Sequence, residues 1–125
     1  MMEINKQVVH MFVRELHVRD FEQTSTEVTK MHRIDIEQND KDPQVFEFTL
    51  NFMFAHFGTQ VDGVIEATIL ANSDDDSVDV LAELRSDEKM YAVPLFSKAS
   101  ALIVKATEDR GMFPVILPVE VWLED

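Results

Sequence analysis

The sequence predicts an α+β fold, a block of strands followed by a block of helices, and three observations carry that prediction. From Val45 to Phe57 the even positions read Phe46, Phe48, Leu50, Phe52 and Phe54, while Glu47, Thr49 and Asn51 fill the odd ones. That is period two over ten residues, the mark of a half-buried strand. After a short turn containing Gly58 the alternation resumes from Val61 to Ala71 with opposite parity, which makes a hairpin. Beyond residue 72 the period changes to helical, and Leu95, Phe96, Ala99, Leu102, Ile103 and Ala106 fall on one stripe.

The remaining elements are read in chain order. Residues 8–18 are β-branched and aromatic, lack Gly and Pro, and read as a strand. Val8, Phe12, Leu16 and Val18 fill its even positions, and Val9, Met11 and Val13 its first odd ones. A strand apolar on both faces at one end is covered on both sides there. A second strand near 26–37 places Val28, Ile34 and Ile36 on one face. Asn39 to Pro43 is an Asp-rich loop ended by proline. Four strands in succession predict a meander with one wet face. Asn72 to Ser77 is an acidic loop, with Ser77 as the expected cap of a short helix over Val78, Leu81 and Leu84. Pro94 suits the entry and Gly111 the exit of the long helix, near 95–110. Pro114 and Pro118 forbid a helix across Met112–Val119, and the tail is expected to end extended around Trp122. No repeat or linker divides the 125 residues, so one domain over 1–125 is expected.

Composition narrows the function. With 24 acidic against 11 basic side chains the net charge is −13, a field that repels phosphate backbones and anionic membranes. Nucleic acid and membrane insertion are excluded on that ground and by the want of any long apolar run, and a basic protein is the natural partner. No cysteine is present, which excludes disulfides, thiol catalysis and thiolate metal sites. The amino terminus shows no signal pattern, so a cytoplasmic protein is expected.

Catalytic patterns are wanting. His10, His17, His32 and His56 never stand at i, i+4 spacing, which leaves only a zinc site assembled from separate strands. Asp74, Asp75, Asp76 and Asp79 lack the alternating ligands and glycine of an EF-hand loop. Three glycines, at 58, 63 and 111, build no phosphate loop. The expectation is a protein that is not an enzyme and takes no cofactor.

The apolar inventory is richer. Nine Phe and seven Met suit a surface that adapts to varied ligands, although Phe46, Phe48, Phe52 and Phe54 read as core. Val9, Met11, Val13, Met53 and Phe57 are expected opposite the main core, as a subunit interface or a groove for another chain.

Pro94-Leu95-Phe96, a helix of about a dozen residues, Arg110-Gly111-Met112-Phe113-Pro114 and then Pro118-Val119 form an ordered series. With the Val45–Ala71 hairpin, its turn at Gly58, and Asp20 near the end of the first strand, this series resembles the SecB family of export chaperones. It is most similar to the small uncharacterised SecB-like bacterial proteins of this length. The resemblance covers about residues 8–122. It implies a four-stranded antiparallel sheet with the long helix across one face, and dimers that pair into tetramers. It further implies ATP-independent binding of unfolded clients in apolar grooves and their transfer to the SecA motor through an acidic sheet surface. Family motor contacts fall on Val64 and Glu66 of the fourth strand and on Asp20, the expected partner-docking face. The family's long carboxy-terminal helix is expected to be absent or minimal, since the chain stops at Asp125. Two functions are implied: an ATP-independent binder of unfolded or nascent chains linked to export, or an interaction module of the same fold without client holding.

Overall fold

The computed structural model describes residues 4–20, 28–56, 58–110 and 114–124. Its strands are β1 (Asn5–Asp20), β2 (Thr29–Gln38), β3 (Val45–His56) and β4 (Thr59–Asn72). Its helices are α1 (Val80–Ser86), α2 (Glu88–Tyr91), α3 (Val93–Asp109) and α4 (Val119–Leu123). Strands thus precede helices, as the change of period from two to 3.6 predicts.

All pairings are antiparallel, and the order across the sheet is β1-β4-β3-β2. The expected meander holds for β2, β3 and β4 and fails for β1, which lies beside β4 at the opposite edge from β2. Alternation tells a strand which face is buried and is silent about its neighbour. Length is more informative here: β1 has 16 residues and β4 has 14, and they pair along their whole extent. His56 pairs with Thr59 across the β3–β4 turn, where Gly58 takes the positive φ of 79° that side chains resist.

The core lies between the sheet and α3. Phe46, Phe48, Leu50, Phe52 and Phe54 project from β3, and Val61, Ile65, Ala67, Ile69 and Ala71 from β4. Against them α3 sets Leu95, Phe96, Ala99, Ile103 and Ala106, so the sequence stripe is the packing face; Leu102 lies half-buried at its margin. Polar ties secure the last segment. The Thr107 hydroxyl donates to the Ile103 carbonyl at 2.8 Å and accepts from the Val115 amide at 2.9 Å.

Two local expectations are corrected. Asp79 rather than Ser77 caps α1, its carboxylate accepting from the Ala82 amide at 3.2 Å, while Ser77 donates to Asp75 at 2.7 Å. The tail is not extended at Trp122: α4 begins directly after Pro118, whose φ of −59° and ψ of 148° serve as its cap. Proline blocks the helix before itself and leaves the residues after it free. Trp122 is buried, stacks on Phe96 at 5.6 Å, meets Phe52 edge-on at 6.4 Å, and donates its indole N–H to Ser100 Oγ at 2.9 Å. Truncating a buried indole of this kind costs about 3–5 kcal/mol. Trp122→Ala is therefore expected to lower the urea midpoint sharply, whereas a tail that merely lay on the surface would leave the midpoint unchanged.

Gly63 is required by close approach. A Cβ there would lie 2.6 Å from the Glu15 carbonyl oxygen and 3.1 Å from the Phe52 ring. Gly63→Ala must push β1 away, and overpacking of this kind costs about 1–3 kcal/mol. Equilibrium unfolding measures the loss, with the amides of β1 expected to lose hydrogen-exchange protection first.

Candidate functional site

The apolar edge strand sets the site. Its register with β4 shifts twice, between Val8 and His10 and again between Val13 and Glu15, so Val9 and Arg14 are bulged out of the ladder. Each extra residue reverses the parity of the residues after it. Val8, Met11, Val13, Leu16 and Val18 therefore stand opposite Ile69, Ala67, Ile65, Gly63 and Val61 and share the helix-side face. This corrects the expectation that Met11 and Val13 lie opposite the core: both are half-buried and pack against it. Val9 sits in the first bulge and is 56% exposed. Phe57 lies outside the described residues, as do Gly111 and Phe113.

The helix does not reach this far across the sheet. It packs chiefly over β4 and β3. Val8, Leu16 and Val18 point to the helix side yet remain 38%, 41% and 38% exposed. The result is an apolar margin along the helix side of an edge strand, with Met11 and Val13 half-covered at its centre. Alternation alone missed Leu16 and Val18 as exposed residues, because it reports a buried face without reporting where the helix stops.

Met53 is on the outer face as expected, directly opposite Met31 on β2 and Asp62 on β4. Val64 and Glu66 share that face, opposite Asn51 and Thr49. Glu66 is held by Arg14 at 2.8 Å, and Asp62 by Arg19 at 3.2 Å. Shallow depressions of about 370 and 330 Å³ lie here, and both are bordered by Asn51, Phe52 and Asp62.

Asp20 does not join Val64 and Glu66. It pairs with Thr59, whose side chain is buried on the helix side, so the three residues do not form a single surface. Its carboxylate instead accepts from the Arg110 guanidinium, which also donates through Nε to Thr59 Oγ1 at 3.2 Å. Arg110 follows the end of α3, so this corner ties the helix exit to the ends of β1 and β4. Two segments of the sequence series meet at that corner. The others are structural: Pro94 stands in the first turn of α3, Leu95 and Phe96 are fully buried, and Pro114 and Pro118 bound a stretch without helix.

Electrostatic perturbation is slight and lies elsewhere. Hydrogen bonds from Ser77 hold the Asp75 carboxyl below its usual range, and burial, with Glu83 and Asp87 nearby, raises the Tyr91 phenol. Among the described residues no group of three or more His, Asp or Glu is placed to hold a metal, and no helix is long and apolar enough to cross a membrane.

No family model matches the sequence, and no curated protein matches it. Solved structures do. A Mycobacterium tuberculosis SecB-like chaperone, in complex with a ChAD peptide from the HigA1 antitoxin, superposes with a TM-score of 0.70 at 8% identity, covering 91% of this chain and 86% of that one. A Streptococcus agalactiae protein of unknown function superposes with a TM-score of 0.59 at 16% identity, covering 94% of this chain and 98% of that one. The fold is therefore SecB-like, the four-stranded antiparallel sheet with its long helix on one face.

The Asp20–Arg110 pair is open to direct test. Asp20 is 91% exposed, and pairs so solvated contribute no more than about 1 kcal/mol. A double-mutant cycle of Asp20→Asn and Arg110→Gln is expected to give a small favourable coupling that shrinks with added salt. Strict additivity at low salt would remove the pair from the fold's support.

Proposed function

We propose that this protein binds unfolded or nascent polypeptide without ATP, using the apolar margin of β1 on the helix side. The observation that carries the proposal is the exposure of Val8, Leu16 and Val18 on a face whose neighbours Met11 and Val13 pack into the core. A side-chain row of this kind, open along an edge strand, offers both apolar contact and unpaired backbone groups to an extended chain. The SecB-like fold supports the reading, since the mycobacterial chaperone that shares it is seen with a peptide bound. The finer form of the proposal has the protein work as a dimer or tetramer in the cytoplasm, with the bound chains passed on for export. The competing reading keeps the fold as an interaction module without client holding, in which the same margin is only a subunit contact.

Aggregation suppression with a chemically unfolded client separates the two. The protein at stoichiometric excess is expected to suppress aggregation, and Leu16→Lys with Val18→Lys to lose that effect. Light scattering on the same variant completes the test. If its mass falls to that of the 14.4 kDa chain and the parent never suppressed aggregation, the margin is a subunit contact and the client proposal fails. The finer form is checked by whether an export motor ATPase is retained on the tagged protein and is lost on the variant.

A further inference from the structure

The outer face carries a pair of sulfurs that neither the helix-side margin nor the packing of the core accounts for. Met31 on β2 stands directly opposite Met53 on β3. Both side chains leave the sheet on the face away from α3, and both border the depression of about 370 Å³. Met31 is 63% exposed and Met53 is half-buried, so a small solute reaches the pair from solvent. The other two described methionines stand apart from any such partner. Met11 faces Ala67 on the helix side, and Met90 is 52% exposed on α2.

Facing residues of an antiparallel pair hold their Cβ atoms roughly 5 Å apart. A methionine sulfur lies two bonds beyond its Cβ on a flexible chain, so two facing methionines can turn their sulfurs toward one ion between them. Thioether is a soft, uncharged donor that selects copper(I), and with it silver(I), over calcium or magnesium. The nearby carboxylates are already engaged. Asp62, opposite Met53, is held by Arg19 at 3.2 Å, and Asp35 by Arg33 at 3.4 Å. The chain has no cysteine, so no thiolate competes for the ion. Its net charge of −13 raises the concentration of cations at the surface.

We infer that Met31 and Met53 form a binding site for a soft monovalent cation, copper(I) or silver(I), held between the two thioether sulfurs. A monovalent ion suits the place better than a divalent one, because Arg19 and Arg33 stand nearby and the two ligands bring no negative charge. The sheet supplies the preorganisation. Pairing of β2 with β3 fixes both backbone positions, and only side-chain rotation is needed to close the site. The two residues are distant in sequence, so register rather than a sequence motif makes the site. It lies on the opposite face from the margin of β1 and does not rest on the client reading.

The probe is silver(I) nitrate in chloride-free buffer, read through the methionine methyl signals in NMR. The methyls of Met31 and Met53 are expected to shift together and to saturate at one ion per chain, well before that of Met90 responds. Met31→Leu and Met53→Leu keep the size and lose the sulfur. Each should weaken binding by about tenfold or more, since losing a ligand costs no less than losing a group behind one. Met31→Leu, at an exposed edge position, carries the test where Met53→Leu does not fold. Met90→Leu should change nothing, and calcium nitrate should shift no methyl. X-ray absorption on the copper(I)-loaded protein, prepared without oxygen, is expected to show two sulfur neighbours. A Met90 methyl that shifts at the same concentration, or Met31→Leu binding like the parent, would reduce the effect to isolated thioethers and overturn the inference. An absorption spectrum dominated by nitrogen would overturn it in favour of a histidine. Client suppression depends on the other face, so its failure would leave this result standing.

Discussion

The pairing of β1 with β4 is the constraint on which the rest of the molecule depends. A strand of 16 residues cannot follow the twist of a sheet unbroken while matching a partner of 14, and two bulges absorb the difference. Each bulge resets which side chains face the helix, so Val8, Met11, Val13, Leu16 and Val18 all stay on one side despite mixed parity in the sequence. Gly63 permits the close approach at the second bulge, where the Glu15 carbonyl occupies the space a side chain would need. With α3 packed chiefly over β4 and β3, Val8, Leu16 and Val18 of β1 stay exposed and form the apolar margin.

The far side of the molecule is managed differently. There β2 is the edge, and pieces of the helical half guard it. Arg85 of α1 donates to the Ile36 carbonyl at 2.9 Å, and Lys30 donates to the Val121 carbonyl of α4. Trp122 closes that end of the core between Phe52 and Phe96. One edge is therefore tied to helices, while the other exposes Val8, Leu16 and Val18.

Charge and apolar surface divide the two faces in turn. The helix-side row of β1 is apolar from Val8 to Val18, with Lys6 and Asp20 at its two ends. The outer face interleaves Arg14, Arg19 and Arg33 with carboxylates, which keeps it solvated and selective. Asp20 belongs to neither surface, because Arg110 holds it at the corner where the helix ends. A residue placed on a docking face by resemblance thus has a visible structural tie, and its charge is partly neutralised there.

The sequence by itself determined the fold class, the four strands, the long helix and its packing stripe. Those depend on local period, and period survives in one dimension: Phe46 to Phe54 alternate, and Leu95 to Ala106 recur at helical spacing, whatever lies around them. The ordered series around Pro94 and Arg110 also pointed to the fold that the structural likeness shows. What only the tertiary structure decided was non-local. The position of β1 beside β4, the two bulges that turned Met11 and Val13 toward the core and the burial of Trp122 all depend on register or packing between distant segments. Register is fixed by pairing energy summed over a whole strand and by where a helix happens to end, and neither is written at any single residue.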